Sequence, residues 1–259
     1  EELKKAACCN LSESFETNPS VDVNYSDALS GAKQIQLLGL SGSYVQMMTE
    51  NLPNYRGLAA TYGLEYIPGP WMQSIQVSKG AAAVINGFES ITGQINTELK
   101  KPESEEKLQF NLYSNNIAKT EVNLHKTASI SKNWKTILLA HGNYNDMKID
   151  HNEDGFLDHP LIKSYNFQNQ WVRSDTLGNI THAGIGTLFE ERTSGQLNFQ
   201  KDEPRDTLHP YGIGIINKRY QAHLKQGYLF ENAADASMAL MMNSSFHSQN
   251  AFFGINKYY

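Results

Sequence analysis

The chain has 259 residues, of which 40% are hydrophobic, and a formal net charge of -5 with an isoelectric point near 5.9. This length accommodates one large domain or two modest ones, and either size buries a substantial core. The acidic balance provides no basic surface to neutralise phosphates, so we expect no nucleic-acid partner.

The N-terminal segment shows the spacing of an amphipathic helix that ends at Pro19. Its apolar positions are Leu3, Ala6, Ala7, Leu11 and Phe15. The adjacent Cys8 and Cys9 are the only cysteines of the chain. Neighbouring cysteines form a strained ring when joined, and no CxxC motif accompanies them. We interpret them as small buried helix residues, with a thiol metal relay as the alternative.

Short elements of mixed type follow the first helix. The segments QIQLLGL (34–40) and YVQMMTE (44–50) predict strands, and NYRGLAATYGL (54–64) predicts a short helix. Glycine and proline are frequent between them, which is typical of a compact domain with many turns.

The stretch SIQVSKGAAAVINGFESITGQINTELKKP (74–102) combines two strands with a glycine-rich connection. Ile75 and Val77 alternate with polar residues in the first strand, and Ile91 and Ile95 mark the second. A Lys-Gly turn and a run of small residues lie between the strands, and glycine permits the tight turns that such a connection needs.

The character of the sequence changes after residue 102. Past the charged linker ESEEK, a period-two alternation of apolar and polar residues replaces all helical spacing. This change predicts a mixed α+β domain at 1–102 and a domain of about seven strands at 103–259. We place the strands near 106–114, 118–129, 134–146, 162–174, 180–191, 214–230 and 236–249.

Two of these segments alternate clearly. One has Tyr165, Phe167 and Trp171 on one face against Asn166, Gln168 and Gln170. The other has Tyr220, Ala222, Leu224 and Tyr228 against Arg219, Gln221, His223 and Lys225. Strands of ten or more residues exceed the usual five or six, and this alternation at this length favours a lipid-facing barrel wall. A soluble β-sandwich with the apolar face inward is the alternative.

The connections between the predicted strands differ in length on the two sides. On one side lie SKN, DTLGN and ENAAD, which are all short. On the other lie 147–161, 192–213 and the stretch from about 250, with the brief SNNI as an exception. Short links on one side and long links on the other are typical of an outer-membrane barrel.

The stretch 74–102 resembles the end of the plug domain of TonB-dependent outer-membrane receptors, and later segments of the chain resemble receptors of this family in Bacteroidetes-like bacteria. The resemblance is carried by Ile75, Val77, Lys79, Gly80, Gly87, Gly93, Ile95 and Asn96, followed by Lys100, Lys101 and Pro102. The segment AACCNLSESFETNPSVDV resembles the first helix and strand of the plug. HNEDGFLDHPLIKSYNFQNQW and NAFFGINKYY resemble barrel segments of the same family.

This resemblance implies an α+β plug domain followed by antiparallel transmembrane β-barrel strands, part of a barrel of roughly 22 strands. We therefore expect the chain to be the N-terminal part of a longer receptor. The implied function is import of a scarce nutrient, such as a siderophore, cobalamin or a similar metal chelate, across the outer membrane of a Gram-negative bacterium. The implied partners are that ligand, a TonB-type energy transducer in the periplasm and outer-membrane lipid.

A secreted β-sandwich adhesion or binding module with an α/β cap is the alternative function. We expect no enzymatic activity, because the histidines of the predicted strands accompany no catalytic motif. Tyr44, Trp71 and Met72 are candidates for contact with the transported ligand, with core packing as the alternative.

The segment DHNEDGFLD (150–158) has the spacing of a calcium-binding loop. The predicted ligands are Asp150, Asn152, Asp154, the Phe156 carbonyl and Asp158. Gly155 stands where such loops turn sharply, but Leu161 occupies the position of the usual last glutamate. Calcium here would stiffen an outer loop, with a solvated polar hairpin as the alternative, and no other cofactor is required.

Overall fold

The computed structural model describes residues 10–15, 21–27, 29–82, 89–103, 106–201, 203–204, 206–230 and 236–258. The predictions for Cys8, Cys9 and Gly87 fall outside these ranges. Within them, strands dominate and the one α-helix, α1, has four residues, Leu11–Ser14. No helix in the described part of the chain is long and apolar enough to cross a membrane.

The N-terminal domain contains two small sheets. Strands β1 (Asp22–Asp27) and β2 (Ala32–Gln36) form an antiparallel pair. The second sheet has the order β4-β3-β6-β5, in which β3 and β6 are parallel. Its strands are β3 (Val45–Thr49), β4 (Leu52–Pro53), β5 (Met72–Lys79) and β6 (Gly93–Leu99).

The apolar residues of these short elements share one core. Leu11, Phe15, Leu37, Ile67 and Ile95 are each at most 2% exposed. Each fully buried side chain of this size contributes about 1.5–3 kcal/mol. The core continues into inward-facing residues of the later strands, namely Ile137, Leu139, Leu188, Ile213, Ile215 and Ala251. The N-terminal domain is therefore packed against the second domain.

Three predicted elements of the N-terminal domain were wrong in type or extent. The segment 54–64 contains only a 3-10 turn, at Gly57–Ala60, where a helix was predicted. The strand predicted over 34–40 ends at Gln36, because Leu38 takes a positive φ of 55° and reverses the chain. The second strand of the 74–102 stretch begins only at Gly93, and Ile91 is 57% exposed before it.

The second domain is one antiparallel sheet of eight strands, in which each strand pairs with the next along the chain. The strands are β7 (Leu108–Ser114), β8 (Thr120–Ser129), β9 (Trp134–Asn145), β10 (Leu161–Ser174), β11 (Ile180–Gly195), β12 (Gly212–Leu229), β13 (Ser237–Phe253) and β14 (Asn256–Tyr258). For seven of them, both ends lie within four residues of the predicted ends. The eighth, β14, follows a tight turn at Gly254, where a long connection was predicted.

The two faces of this sheet have opposite environments. Tyr165 and Phe167 are 49% and 47% exposed, whereas Asn166 and Gln168, which alternate with them, are buried against the N-terminal domain. An apolar face exposed and a polar face covered is the pattern of a lipid-facing barrel wall. The β-sandwich alternative is wrong, because the described strands from β7 onward form a single sheet and no second sheet covers its apolar face.

The connections follow the predicted asymmetry in part. Residues 130–133, 175–179 and 230–236 join strands at one end of the sheet. At the opposite end, 146–160 and 196–211 are long connections, whereas 115–119 and the turn at 254–255 are short. The chain passes from the N-terminal domain to the second domain between Leu99, which ends β6, and Leu108, which begins β7.

Candidate functional site

The inner faces of β11 and β12 present three cationic side chains to the N-terminal domain. Arg192, Arg219 and Lys225 all point inward, because residues at even spacing along a strand share one face. Each of them contacts a different segment of the N-terminal domain. Together they define the interface between the two domains on this side of the sheet.

Arg192 is the most buried of the three, with 2% exposure. Its guanidinium donates to the Ser30 carbonyl at 2.7 Å, to Glu65 at 2.5 Å and to Glu190 of its own strand at 3.3 Å. It also lies 4.7 Å from the centroid of the Tyr62 ring. Burial raises the pKa of the Glu65 carboxyl, and the charge of Arg192 opposes this shift.

Arg219 and Gln221 hold the segment after β4. Arg219 donates to the Asn54 side-chain carbonyl, and the Asn54 amide donates to Gln221 Oε1 at 3.3 Å. The Arg219 guanidinium lies 5.1 Å from the centroid of the Tyr55 ring, in the geometry of a cation–π contact. Burial raises the pKa of Tyr55 to about 12, so this phenol stays neutral.

Lys225 contacts a strained turn between β3 and β4. Glu50 and Asn51 have positive φ angles of 56° and 59°, which non-glycine residues rarely adopt. Lys225 Nζ donates to the Glu50 carbonyl at 2.8 Å and lies 3.3 Å from its carboxylate. The same carboxylate accepts the Leu99 N–H at 2.9 Å. We call the eight-stranded sheet β7–β14 the wall. Glu50 therefore joins the wall to the last strand of the N-terminal domain.

Two asparagines of the wall bind backbone carbonyls of the N-terminal domain. Asn166 of β10 donates to the Tyr66 carbonyl at 2.6 Å, and Asn243 of β13 donates to the Pro53 carbonyl at 2.6 Å. These contacts give two backbone carbonyls of the N-terminal domain hydrogen-bond partners in the second domain.

A polar cavity adjoins the Arg192 cluster. Glu65 lines it from the N-terminal domain, and Glu121, His141 and Asn143 line it from the wall. Among the described residues, one Glu65 carboxylate oxygen and the Asn143 amide oxygen are buried there without a hydrogen-bond partner. Buried acceptors of this kind are normally satisfied by water. The interface is therefore polar and hydrated beside its apolar core.

The predicted plug-motif residues occupy β5, β6 and the turns next to them. Ile75 and Val77 pair with Thr97 and Ile95 across the two strands. Lys79 ends β5, and Gly80 follows it with φ 91°.

The rest of the motif fixes close backbone approaches. A Cβ on Gly93 would lie 2.3 Å from the Ser78 carbonyl oxygen, so only glycine fits there. Asn96 accepts the Asn51 N–H at 2.8 Å and thereby supports the strained turn that carries Glu50. The motif thus helps to shape the interface with the wall.

The three candidates for ligand contact have different environments. Trp71 and Met72 are 3% and 4% exposed and belong to the core of the N-terminal domain. Tyr44 is 44% exposed, and its carbonyl accepts the Ile91 and Thr92 N–H groups at 3.1 Å. A role of these residues in ligand contact stays a prediction, for which Tyr44 is the accessible member.

The calcium-like segment forms an ordered loop. Asp150 accepts the Asp154 and Gly155 N–H groups at 3.2 and 2.9 Å, and Asp154 accepts the Phe156 N–H at 2.8 Å. Asp158 accepts both the backbone and the ring N–H of His151, at 2.9 Å each, and these bonds lower the pKa of its carboxyl.

No group of three or more His, Cys, Asp or Glu side chains in the described ranges has the arrangement to hold a metal ion. Asp158 faces His151 and is not directed at Asp150 and Asp154. Calcium binding therefore stays a prediction.

Sequence reasoning missed the partners of Arg192. The predicted strand stopped at residue 191 and placed Arg192 in a connection, whereas β11 continues to Gly195. Glu65 lies 127 residues away in sequence, and no motif around it indicated a contact with Arg192. The inward cations Arg219 and Lys225 were correctly placed on the polar face.

Residues 1–94 match the family model described as TonB-dependent Receptor Plug Domain. No curated protein sequence matches the chain. Among solved structures, the siderophore receptor PiuA from Acinetobacter baumannii matches with a TM-score of 0.65 and 12% identity, over 93% of this chain and 34% of that one. The fold is that of a TonB-dependent receptor.

Two other solved structures also match most of this chain and less than half of their own length. P. aeruginosa FpvA bound to heterologous pyoverdines gives a TM-score of 0.60 at 14% identity, over 93% of this chain and 36% of that one. The copper transporter OprC gives 0.57 at 13% identity, over 94% and 45%. The chain thus spans between 34% and 45% of the length of these three structures. The N-terminal domain corresponds to the plug, and the eight-stranded sheet to part of the barrel wall.

Proposed function

We propose that this chain provides the plug and the first part of the barrel wall of a TonB-dependent transporter in the outer membrane of a Gram-negative, Bacteroidetes-like bacterium. The observation that carries the proposal is the reversed polarity of the sheet, whose apolar face is exposed and whose polar face covers the plug. A closed barrel satisfies every backbone hydrogen bond in lipid, and a wide one needs a plug to prevent leakage.

The ligand is a scarce nutrient such as a siderophore, cobalamin, copper or a similar metal complex. The structural neighbours are named as siderophore receptors and a copper transporter, which supports this ligand class without selecting a member. The protein binds and moves its ligand and has no catalytic role. A TonB-type transducer in the periplasm supplies the energy that shifts the plug.

The plug–wall interface suits such a movement. Its polar contacts, through Arg192, Asn54 and Glu50, are hydrogen bonds and ion pairs whose groups water solvates when the surfaces separate. The adjoining cavity already requires water at its unpaired acceptors. A ligand that binds the closed and the displaced plug with different affinity shifts the balance between them.

The direct test is uptake in a strain that lacks the gene and in the same strain with the gene restored. We expect one of the radiolabelled nutrients, a ferric siderophore, cobalamin or copper, to enter only the restored strain, and only when the membrane is energised. Equal uptake of every nutrient in both strains, or uptake without energy, would contradict the proposal.

We also propose that the loop at 150–158 binds calcium and thereby stiffens the outer connections. The loop is already joined to the next connection, since the Leu157 N–H donates to the Gly195 carbonyl and the Leu197 N–H to the Gly155 carbonyl, both at 2.9 Å. Asp150, Asn152 and Asp154 provide the hard oxygen ligands that calcium prefers.

Calcium is therefore expected to slow proteolysis of both connections. In an Asp150→Asn/Asp154→Asn variant this protection should disappear, whereas Asp206→Asn, in the next connection but outside the calcium spacing, should keep it. Limited proteolysis with and without calcium measures the effect. Equal cleavage rates of the unmodified protein in calcium and in chelator would rule calcium out as a ligand of this loop.

A further inference from the structure

A cleft of about 430 Å³ opens on the outer face of β11, β12, β13 and β14, on the side away from the plug. Its size lies within the range of small-molecule sites. Ile216, Asn250 and Phe252 line it, and these residues belong to the outward rows of β12 and β13. The cleft is therefore a depression in the face that the proposed location turns toward lipid.

Glycines give the cleft its shape. A Cβ on Gly214 would lie 2.3 Å from the Phe252 ring, and a Cβ on Gly212 would lie 2.2 Å from the ring of Phe199. The two rings are 6.1 Å apart between centroids and lie on the outer face because these outward positions carry no side chain. Aromatic rings that lie directly over glycine backbone provide an apolar surface for a flexible hydrocarbon chain.

The border of the cleft carries more positive than negative charge. Lys201 reaches it from the connection between β11 and β12, and Lys257 reaches it from β14. Among the described residues, the carboxylate that lines this border is Glu191, which forms an ion pair with Lys201. Lys218, two residues beyond Ile216 on the same face, lies 5.9 Å from the centroid of the Phe189 ring. Lysines beside an apolar surface suit the boundary where lipid headgroups lie.

We propose that this cleft binds a phosphorylated lipid of the outer leaflet, with an acyl chain on Ile216 and Phe252 and a phosphate between Lys201 and Lys257. The proposal rests on the outer-membrane location in the proposed function. Phosphate is the group that a pair of lysines binds as compact point charges. A lipid differs from a free phosphate because it also fills the apolar part of the cleft. The bound lipid holds the outer connections against the wall.

The charge contribution is tested with the protein in nanodiscs, by titration with diphosphoryl lipid A and detection of bound lipid by native mass spectrometry. A Lys201→Gln/Lys257→Gln variant should bind about 10- to 30-fold more weakly. Lys126→Gln/Lys132→Gln is the matched control, because both lysines are exposed and distant from the cleft, and it should bind normally. Glu191→Gln should bind several-fold more tightly, since it removes the carboxylate that competes for Lys201.

The shape contribution is tested with a pair of glycine variants. Gly214→Ala pushes the Phe252 ring into the cleft and should weaken lipid binding. Gly142→Ala adds the same methyl group to the outer face of β9, where its nearest neighbour is 3.8 Å away, and should leave binding unchanged.

Equal affinity of the Lys201→Gln/Lys257→Gln variant and the unmodified protein would overturn the proposal. So would equal affinity for dephosphorylated lipid A, or complete displacement of the lipid by millimolar inorganic phosphate. Fractionation and uptake are measured on the same cells. A protein that reaches the outer membrane and transports, yet shows no lipid preference, refutes the cleft alone; a protein absent from that membrane refutes the proposed function as well.

Discussion

Replacement of Arg192 by methionine is expected to weaken plug docking by about 3–5 kcal/mol, the usual cost of leaving a buried charge without its partner. Arg192 is the cation that Glu65 of the plug and Glu190 of the wall share, at 2.5 and 3.3 Å. Methionine fills similar volume, so the loss reports charge and hydrogen bonding more than packing. Two buried carboxylates would then face each other without compensation.

The loss of stability in the Arg192→Met variant should grow as the pH rises. Burial raises the pKa of Glu65 above its usual 4.5, and loss of Arg192 removes the charge that opposes the shift. The protonated carboxyl is then the favoured folded form. The contribution of this carboxyl to the stability of the variant is therefore fully present below pH 4.5 and is lost as the pH rises through the raised pKa.

Urea unfolding in detergent, followed by fluorescence of Trp71 with Trp134 and Trp171 changed to phenylalanine, measures this loss. Arg173→Met is the control, because Arg173 is 41% exposed and lies 4.0 Å from Asp175; it should cost at most about 1 kcal/mol. Adding Glu65→Gln and Glu190→Gln to Arg192→Met should restore most of the stability. An Arg192→Met protein as stable as the control would show that this cluster does not anchor the plug.

A charge placed on the outer face of the wall is expected to be nearly as costly. Phe167 lies in the middle of β10 and is 47% exposed on the apolar face. Arginine near the middle of a bilayer destabilises a barrel by about 2–4 kcal/mol. Phe167→Arg should therefore lower the free energy of unfolding from lipid vesicles by that amount and reduce the folded protein recovered from the outer-membrane fraction.

Leu177→Arg provides the matched control for this prediction. Leu177 is 55% exposed, but it lies in the short connection between β10 and β11. Exposed substitutions of this kind usually change stability by less than about 0.5 kcal/mol. A protein whose sheet faces water would tolerate both arginines equally, so equal effects would contradict a lipid-facing wall.

The wall was largely predictable from the sequence because one physical rule governs it. Along β10 and β12, lipid on one side and the plug on the other impose a strict alternation, and the side-chain period of a strand converts it directly into two faces. The prediction failed at β14, whose three residues, Asn256–Tyr258, are too few to show any period.

The plug was harder to predict because its elements are short and held by tertiary contacts. The turn at Gly57–Ala60 has helical composition, yet its neighbours Tyr55 and Tyr62 pack on Arg219 and Arg192 of the wall. The strained turn at Glu50 depends on Lys225, which lies 175 residues away. Contacts at such distances in sequence leave no local pattern, so this interface emerged only from the structure.

The most direct measurement of a movable plug is uptake by a protein in which plug and wall are covalently joined. Asn54→Cys and Gln221→Cys, whose native side chains lie 3.3 Å apart, are linked by a short cleavable bismaleimide after Cys8 and Cys9 are changed to serine. Thr181→Cys/Gln226→Cys is the control, because these residues form a hydrogen bond between two wall strands only.

We expect the plug–wall link to abolish uptake, to leave ligand binding at the cell surface intact and to be reversed when the linker is cleaved. The link within the wall should leave uptake unchanged. Undiminished uptake through a fully linked plug would contradict the account.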